Sequence, residues 1–117
     1  MDMTVSVEEL DGWALVRASG DIDVATAPRL REQLVNVIAG GQARVVLDLD
    51  GVDFLDSTGL GVIVSALKRT RTHGGDLRVV CNRDPIRRLF ELTGLDLAMP
   101  LVGSVQAAIS DEPSPGR

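Results

Sequence analysis

The sequence has one cysteine, one histidine and no excess of basic residues. The lone cysteine, Cys81, excludes an internal disulfide and any CxxC metal or redox motif, so we interpret it as a small buried hydrophobe. The 12 lysines and arginines stand against 17 aspartates and glutamates, which gives a net charge of -5. A chain of this charge lacks the basic excess with which proteins bind phosphate backbones. We therefore do not expect nucleic acid as a partner.

Long apolar runs are also missing. None approaches the roughly 18 residues of a membrane span, and the N-terminus has neither a basic start nor an apolar export segment. We therefore expect a cytoplasmic protein that does not contact membranes. As to self-association, we expect a monomer or a weak dimer. Hydrophobic residues make up 44% of the 117 residues, enough to bury a core. The sequence predicts one domain over residues 1–110 and a disordered C-terminal tail over residues 111–117.

The spacing of apolar residues predicts a hairpin followed by alternating helices and strands. Asp11-Gly12 is a common tight-turn dipeptide between two apolar runs, from Thr4 to Ala18, and Gly20 breaks the pattern after them. Periodicity assigns the later segments: helix 27–38, strand 44–49, loop 50–56, a helix from Ser57 to about Thr72, strand 77–81, a helix from Pro85 to Gly94, a strand near 97–101 and a short helix over 105–109. This order predicts an α/β fold with a mixed sheet.

The segment from Asp53 to Gly61 is the candidate functional site, because it follows a predicted central strand and opens a helix. Ser57 has the residue type and position of an N-cap, and the residues alone favour capping over a functional serine. Gly59 and Gly61 each disfavour the helix by about 1 kcal/mol relative to Ala. They either let the helix pack closely on the sheet or leave its start bare for a partner's backbone, and the sequence leaves both open.

Six aspartates are predicted to lie near one end of the sheet: Asp21, Asp23, Asp48, Asp50, Asp53 and Asp56. Such a run is usually a solvated loop. The alternative is an acidic rim that a partner binds and that would repel a phosphate on Ser57. At an effective dielectric constant of 20, unit charges about 4 Å apart interact by about 4 kcal/mol, so a phosphate there could change binding strongly.

Catalytic and cofactor motifs are missing around Ser57. No GxSxG elbow surrounds it, and the only histidine, His73, lies 16 residues further along the chain. That separation is about 24 Å in a helix, too far for a catalytic pair. Neither GxxxxGK[ST] nor GxGxxG is present. We predict no catalytic residue, no metal ligand and no cofactor, and a small enzyme or nucleotide-binding protein is the weakest alternative.

Four segments together resemble the bacterial anti-anti-sigma factors (anti-sigma factor antagonists) of the STAS family: Gly20–Asp23, Val45–Leu49, Asp56–Gly61 and Arg88–Leu95. They occur in the family's order, and the likeness covers almost the whole chain, roughly residues 4–110. The resemblance implies the STAS fold, a mixed, mainly parallel sheet with about four α-helices packed chiefly on one side.

The resemblance also implies a function. In that family the unphosphorylated protein binds an anti-sigma factor that is also a serine kinase, and this releases the sigma factor. The kinase phosphorylates the serine after the aspartate of the Asp-Ser motif, which is Ser57 here, and a PP2C-type phosphatase removes the phosphate. Thr58, where many relatives have a second serine, is a minor candidate acceptor. The expected partner-binding residues are Asp21, Asp23, Thr26, Asp56, Ser57, Thr58, Gly59, Gly61 and Val62.

An alternative within the same family is a STAS module without the phosphorylation switch, in a transport or stress-signalling complex. Its interface could use the same helix, whereas the intact Asp56-Ser57 pair favours the switch.

Overall fold

The computed structural model describes residues 2–110, and the predicted tail over residues 111–117 lies outside them. The described elements, in chain order, are β1 (Met3–Leu10), β2 (Trp13–Ile22), α1 (Ala27–Ala39), β3 (Arg44–Leu55), α2 (Ser57–Thr72), β4 (Asp76–Val80), α3 (Asp84–Thr93), α4 (Leu95–Ala98), β5 (Leu101–Val102) and α5 (Val105–Ser110). The strands lie in the order β1-β2-β3-β4-β5. β1 is antiparallel to β2, and the other neighbours are parallel. The predicted mixed, mainly parallel sheet is confirmed.

A two-residue turn joins β1 to β2, as predicted. Asp11 and Gly12 both have positive φ angles, 52° and 82°, and Leu10 pairs with Trp13 across the turn. Positive φ at both central residues defines the turn type whose twist matches that of a hairpin. The Asp-Gly dipeptide therefore sets the register of β1 on β2.

β2 and β3 are longer than predicted, and their extra length positions the candidate site. β2 continues through Gly20 to Ile22, and β3 continues to Leu55 through the segment predicted as a loop. The two strands pair in parallel as far as Ile22 with Leu55, with register shifts on the way. Glycine and aspartate disfavour strands locally. The predicted breaks are wrong because each segment finds backbone hydrogen-bond partners on its neighbour.

The helices cover the two faces of the sheet unequally. α1, α2 and α3 pack on one face, where Leu34, Ile63 and Phe90 join the larger core. The smaller core lies on the other face, where α5 packs through Ala108 against Trp13. Helices packed chiefly on one side are therefore confirmed. None of the helices described within residues 2–110 has the length and apolar character needed to cross a membrane.

The segment after α3 differs from the prediction. Gly94, in the left-handed conformation (φ 76°), ends α3 as predicted, and a second short helix, α4, follows at once. Only Leu101 and Val102 pair with β4, so the strand predicted near 97–101 is wrong over its first part. Met99 is fully buried and anchors the turn between α4 and β5. The described residues therefore form five helices, where about four were expected.

Candidate functional site

The start of α2 lies beside the end of β2. The backbone N–H of Asp56 donates to the carbonyl oxygen of Ile22 at 3.2 Å, which links the two chain segments as they leave the sheet. Ser57 is the residue after this donor, and Asp23 is the residue after the acceptor. The long pairing of β2 with β3 thus brings the loop after β2 and the start of α2 together.

The N-cap of α2 is Asp56, and not Ser57 as the sequence predicted. Asp56 has an extended backbone, and its carboxylate oxygen Oδ1 accepts from the N–H of Gly59 at 3.0 Å. Aspartate caps helices as well as serine does. Asp56 directly follows the last residue of β3. Ser57 is the first helical residue and is exposed. Its hydroxyl is therefore not needed to cap the helix.

The two glycines of α2 have different roles. Gly59 is buried, and a Cβ there would lie 2.5 Å from Cδ1 of Leu55 and 2.7 Å from Cγ2 of Ile22. Gly61 is exposed, and a Cβ there would meet nothing within 4 Å. The first glycine lets α2 pack on the sheet, and the second leaves the helix surface bare one turn after Ser57. Close packing therefore explains Gly59, whereas access for a partner's backbone stays a prediction for Gly61.

The loop between β2 and α1 is ordered by its own side chains. Oδ1 of Asp23 accepts from the N–H groups of Ala25 at 2.9 Å and Thr26 at 3.0 Å. The Thr26 hydroxyl accepts from the N–H of Asp23 at 2.9 Å and donates to the carbonyl oxygen of Asp21 at 2.7 Å. Thr26 is buried at 8% exposure. Thr26 therefore holds the loop in one conformation and exposes little surface of its own.

Asp23 is ionised beside the start of α2. The N–H of Thr26, together with that of Ala25 and the Thr26 hydroxyl, holds the pKa of the Asp23 carboxyl below its usual value of 3.8. A carboxylate that accepts several hydrogen bonds is stabilised in its charged form. A negative charge is therefore present at this end of the sheet at neutral pH, before any modification of Ser57.

The sequence missed two exposed apolar side chains at this end. Val24 follows Asp23 in the ordered loop and is 72% exposed, and Phe54, opposite Asp21 in the sheet, is 49% exposed. Val62, one of the expected partner-binding residues, is half-buried and packs against the main core and α1. The sequence pattern does not identify Val24 or Phe54 as exposed, because exposure depends on which side chains the rest of the folded chain covers.

The predicted acidic rim is partly neutralised. Two of its six aspartates form ion pairs, Asp48 with Arg17 at 3.3 Å and Asp53 with Arg83 at 2.7 Å, and Asp50 accepts a hydrogen bond from the neutral amide of Asn82 at 2.9 Å. The remaining three, Asp21, Asp23 and Asp56, lie at the adjacent ends of β2 and β3. Acidic charge near Ser57 therefore comes from these three half-buried residues.

The arrangement presents a hydroxyl, and neither His73 nor Cys81 lies beside it. His73 lies at the other end of α2, where its Nδ1 is 2.8 Å from the carbonyl oxygen of Arg69. Cys81 is buried, and this burial raises the pKa of its thiol. Over residues 2–110, no three His, Cys, Asp or Glu side chains are grouped so that they could hold a metal ion. The candidate site is thus a surface built from one helix start and one ordered loop.

The fold and this site define a small α/β domain of one five-stranded sheet with an exposed serine at a helix start. The chain belongs to the STAS domain family, whose model matches residues 4–108. It is 37% identical over 110 residues to an anti-sigma-B factor antagonist of Bacillus subtilis (strain 168), covering 91% of this chain and 100% of the relative. An anti-sigma F factor antagonist of Paenibacillus polymyxa is 32% identical over 112 residues, covering 95% and 96%.

A solved structure is similar along nearly the whole chain. The crystal structure of an anti-sigma factor antagonist from Mycobacterium paratuberculosis superposes with a TM-score of 0.87 at 35% sequence identity, covering 93% of this chain and 92% of that one. The fold expected from the resemblance is therefore confirmed.

Proposed function

We propose that this chain is an anti-sigma factor antagonist, a binding protein rather than an enzyme, and that phosphorylation of Ser57 switches it off. The observation that carries the proposal is the exposed Ser57 hydroxyl directly after a capping aspartate. Because Asp56 caps α2, Ser57 can be modified without loss of the cap. The names of the relatives support the class of function.

The proposed partner in the unphosphorylated state is an anti-sigma factor with serine kinase activity, which gives up its sigma factor on binding. The docking surface consists of the ordered loop at Asp23 and Val24 and the first turns of α2 at Ser57, Thr58 and Gly61. Val24 supplies an exposed apolar contact, and the bare surface at Gly61 lets a partner's backbone approach. A PP2C-type phosphatase restores the unphosphorylated form.

The proposed switch works by local charge and size. A phosphate adds a charge of about −1.5 to −2 at neutral pH, next to the carboxylates of Asp23 and Asp56. A helix N-terminus stabilises an anion by about 0.3 to 1 kcal/mol at an exposed site, so the isolated domain tolerates the phosphate. A closely fitted partner would have to desolvate this group beside two like charges, and binding is lost.

The test compares the wild-type chain with Ser57→Ala and Ser57→Asp in its native host. Intact mass should show one added phosphate on the wild type and none on Ser57→Ala. A kinase-like partner should be captured by the wild type and by Ser57→Ala, and should be released by Ser57→Asp. Ser6→Ala, which removes an exposed serine on β1 outside the docking surface, is the matched control, with the phosphate and the partner both retained.

The opposite result would favour the alternative. A partner that binds all variants equally, with no phosphate on the wild type, would make this chain a STAS module of a transport or stress-signalling complex without the switch.

A further inference from the structure

A shallow furrow runs between α1 and α2, below the start of α2. We define the α1–α2 furrow by Arg31 and Val35 of α1 with Val62, Ser65 and Arg69 of α2, and we include Lys68 from the adjoining surface of α2. Its floor is apolar, since Val62 and the buried Leu34 and Ala66 line it. It continues along α2 towards His73.

The charge of this furrow is opposite to that of the chain. The protein carries a net charge of -5, yet no acidic residue among residues 2–110 lines the furrow. Arg31, Lys68 and Arg69 form no ion pair with any residue from 2 to 110. Elsewhere in the same range, arginines do pair with carboxylates, as Arg17 does with Asp48 and Arg83 with Asp53.

Helix electrostatics explain only part of this arrangement. Cations near a helix C-terminus are stabilised by the helix dipole, which accounts for basic residues in the last turns of α2. Arg31 is in the second turn of α1, where the dipole offers a cation no benefit. Helix ends alone therefore do not account for a row of cations that crosses from α1 to α2.

We propose that the α1–α2 furrow binds an acidic segment of the anti-sigma factor that docks at Ser57. Its carboxylates pair with Arg31, Lys68 and Arg69, and an apolar side chain between them rests on Val35 and Val62. This inference rests on the proposed function, because it uses the partner of that function.

The furrow is continuous with the Ser57 surface. Val62 is four residues after Thr58, so the two side chains lie on one face of α2, about 6 Å apart along the helix axis at 1.5 Å per residue. One partner can therefore contact the acidic start of α2 and the basic furrow together. Phosphorylation changes only the contact at Ser57. The furrow therefore determines which partner is recognised and how fast it associates, as complementary charges at the rim of an interface generally do.

The test measures association of the purified chain with the anti-sigma factor recovered by the wild type. Arg69→Glu and Arg31→Glu should each lower the affinity about tenfold, mainly through slower association, and should flatten its dependence on salt. Arg88→Glu, an exposed charge reversal on α3, is the matched control and should stay within about twofold of the wild type. Arg69→Gln should give a smaller loss than Arg69→Glu.

The possible results separate the two proposals. If Arg69→Glu and Arg31→Glu, shown to be folded by circular dichroism, bind the wild-type partner like Arg88→Glu, the furrow inference is wrong and the proposed function stands. If the wild type recovers no anti-sigma factor, the proposed function fails and the inference fails with it. Binding of a 20-base-pair DNA duplex that is lost in Arg69→Glu would instead assign the furrow to nucleic acid.

Discussion

At the scale of single residues, the exchange of roles between Asp56 and Ser57 matters most. An N-cap side chain accepts a hydrogen bond from the first turn, so modifying a capping serine would cost helix stability. Here the carboxylate of Asp56 has that role, through its 3.0 Å bond from Gly59. The neighbouring Ser57 is left exposed, so under the proposed function helix capping and phosphorylation belong to different side chains.

This division of roles predicts how the two residues respond to substitution. Asp56→Ala should lower the free energy of unfolding by about 1 kcal/mol, the usual cost of losing an N-cap, whereas Asp56→Asn should keep most of it. Ser57→Ala should change it by less than about 0.5 kcal/mol, as is typical of exposed positions. Urea unfolding can be followed by the fluorescence of Trp13, the single tryptophan, which is 2% exposed. A loss at Ser57→Ala as large as that at Asp56→Ala would show that Ser57 shares the capping.

At the scale of elements, the packing of α2 on the sheet determines where the start of this helix lies. The helix approaches the ends of β2 and β3 so closely that a Cβ at Gly59 would overlap methyl groups of Leu55 and Ile22. This close approach places the start of α2 next to the ordered loop at Asp23. The first two turns of α2 and that loop therefore form one continuous surface.

The two glycines provide a matched pair of variants. Gly59→Ala should destabilise the fold by about 1 to 3 kcal/mol, the usual cost of overpacking, because its Cβ would overlap Leu55 and Ile22. Gly61→Ala should stabilise it by up to about 1 kcal/mol, since alanine is the better helix former and the space is open. Urea unfolding of both variants measures the difference. Equal effects at the two positions would mean that α2 can shift away from the sheet without loss.

At the scale of the whole molecule, the candidate site lies apart from most of the packing. The main core extends along the sheet beneath α1, α2 and α3, and the second core lies on the opposite face beneath α5. Ser57 is exposed at one end of the sheet. A charge added there meets solvent and a helix N-terminus rather than the core.

We therefore expect phosphorylation to leave the fold unchanged. A chain with phosphoserine incorporated at position 57 should differ from the unmodified chain in ¹H–¹⁵N correlation spectra only around residues 21–26 and 54–62. The Ser57→Ala chain, spectrally close to the unmodified one, is the control. Shifts that extend into β1 or β4 would contradict a local switch and would indicate a rearranged sheet.

Patterns local in the chain were sufficient to predict much of this protein. The Asp11-Gly12 turn, the alternation of helices and strands and the end of α3 at Gly94 all follow from short-range periodicity and turn chemistry. The family resemblance depends on the same short segments in order. These features are local because neighbouring residues alone determine backbone preference and amphipathic spacing.

Tertiary structure determined the features that depend on contacts between segments distant in the chain. Pairing between β2 and β3 made strands of the stretches after Gly20 and after Leu49, although their composition disfavours strands. That pairing set where α2 begins, and so made Asp56 the cap. Packing then buried Gly59, exposed Val24 and formed the α1–α2 furrow. None of these could be read from local pattern, because burial and hydrogen-bond partners come from residues distant in the chain.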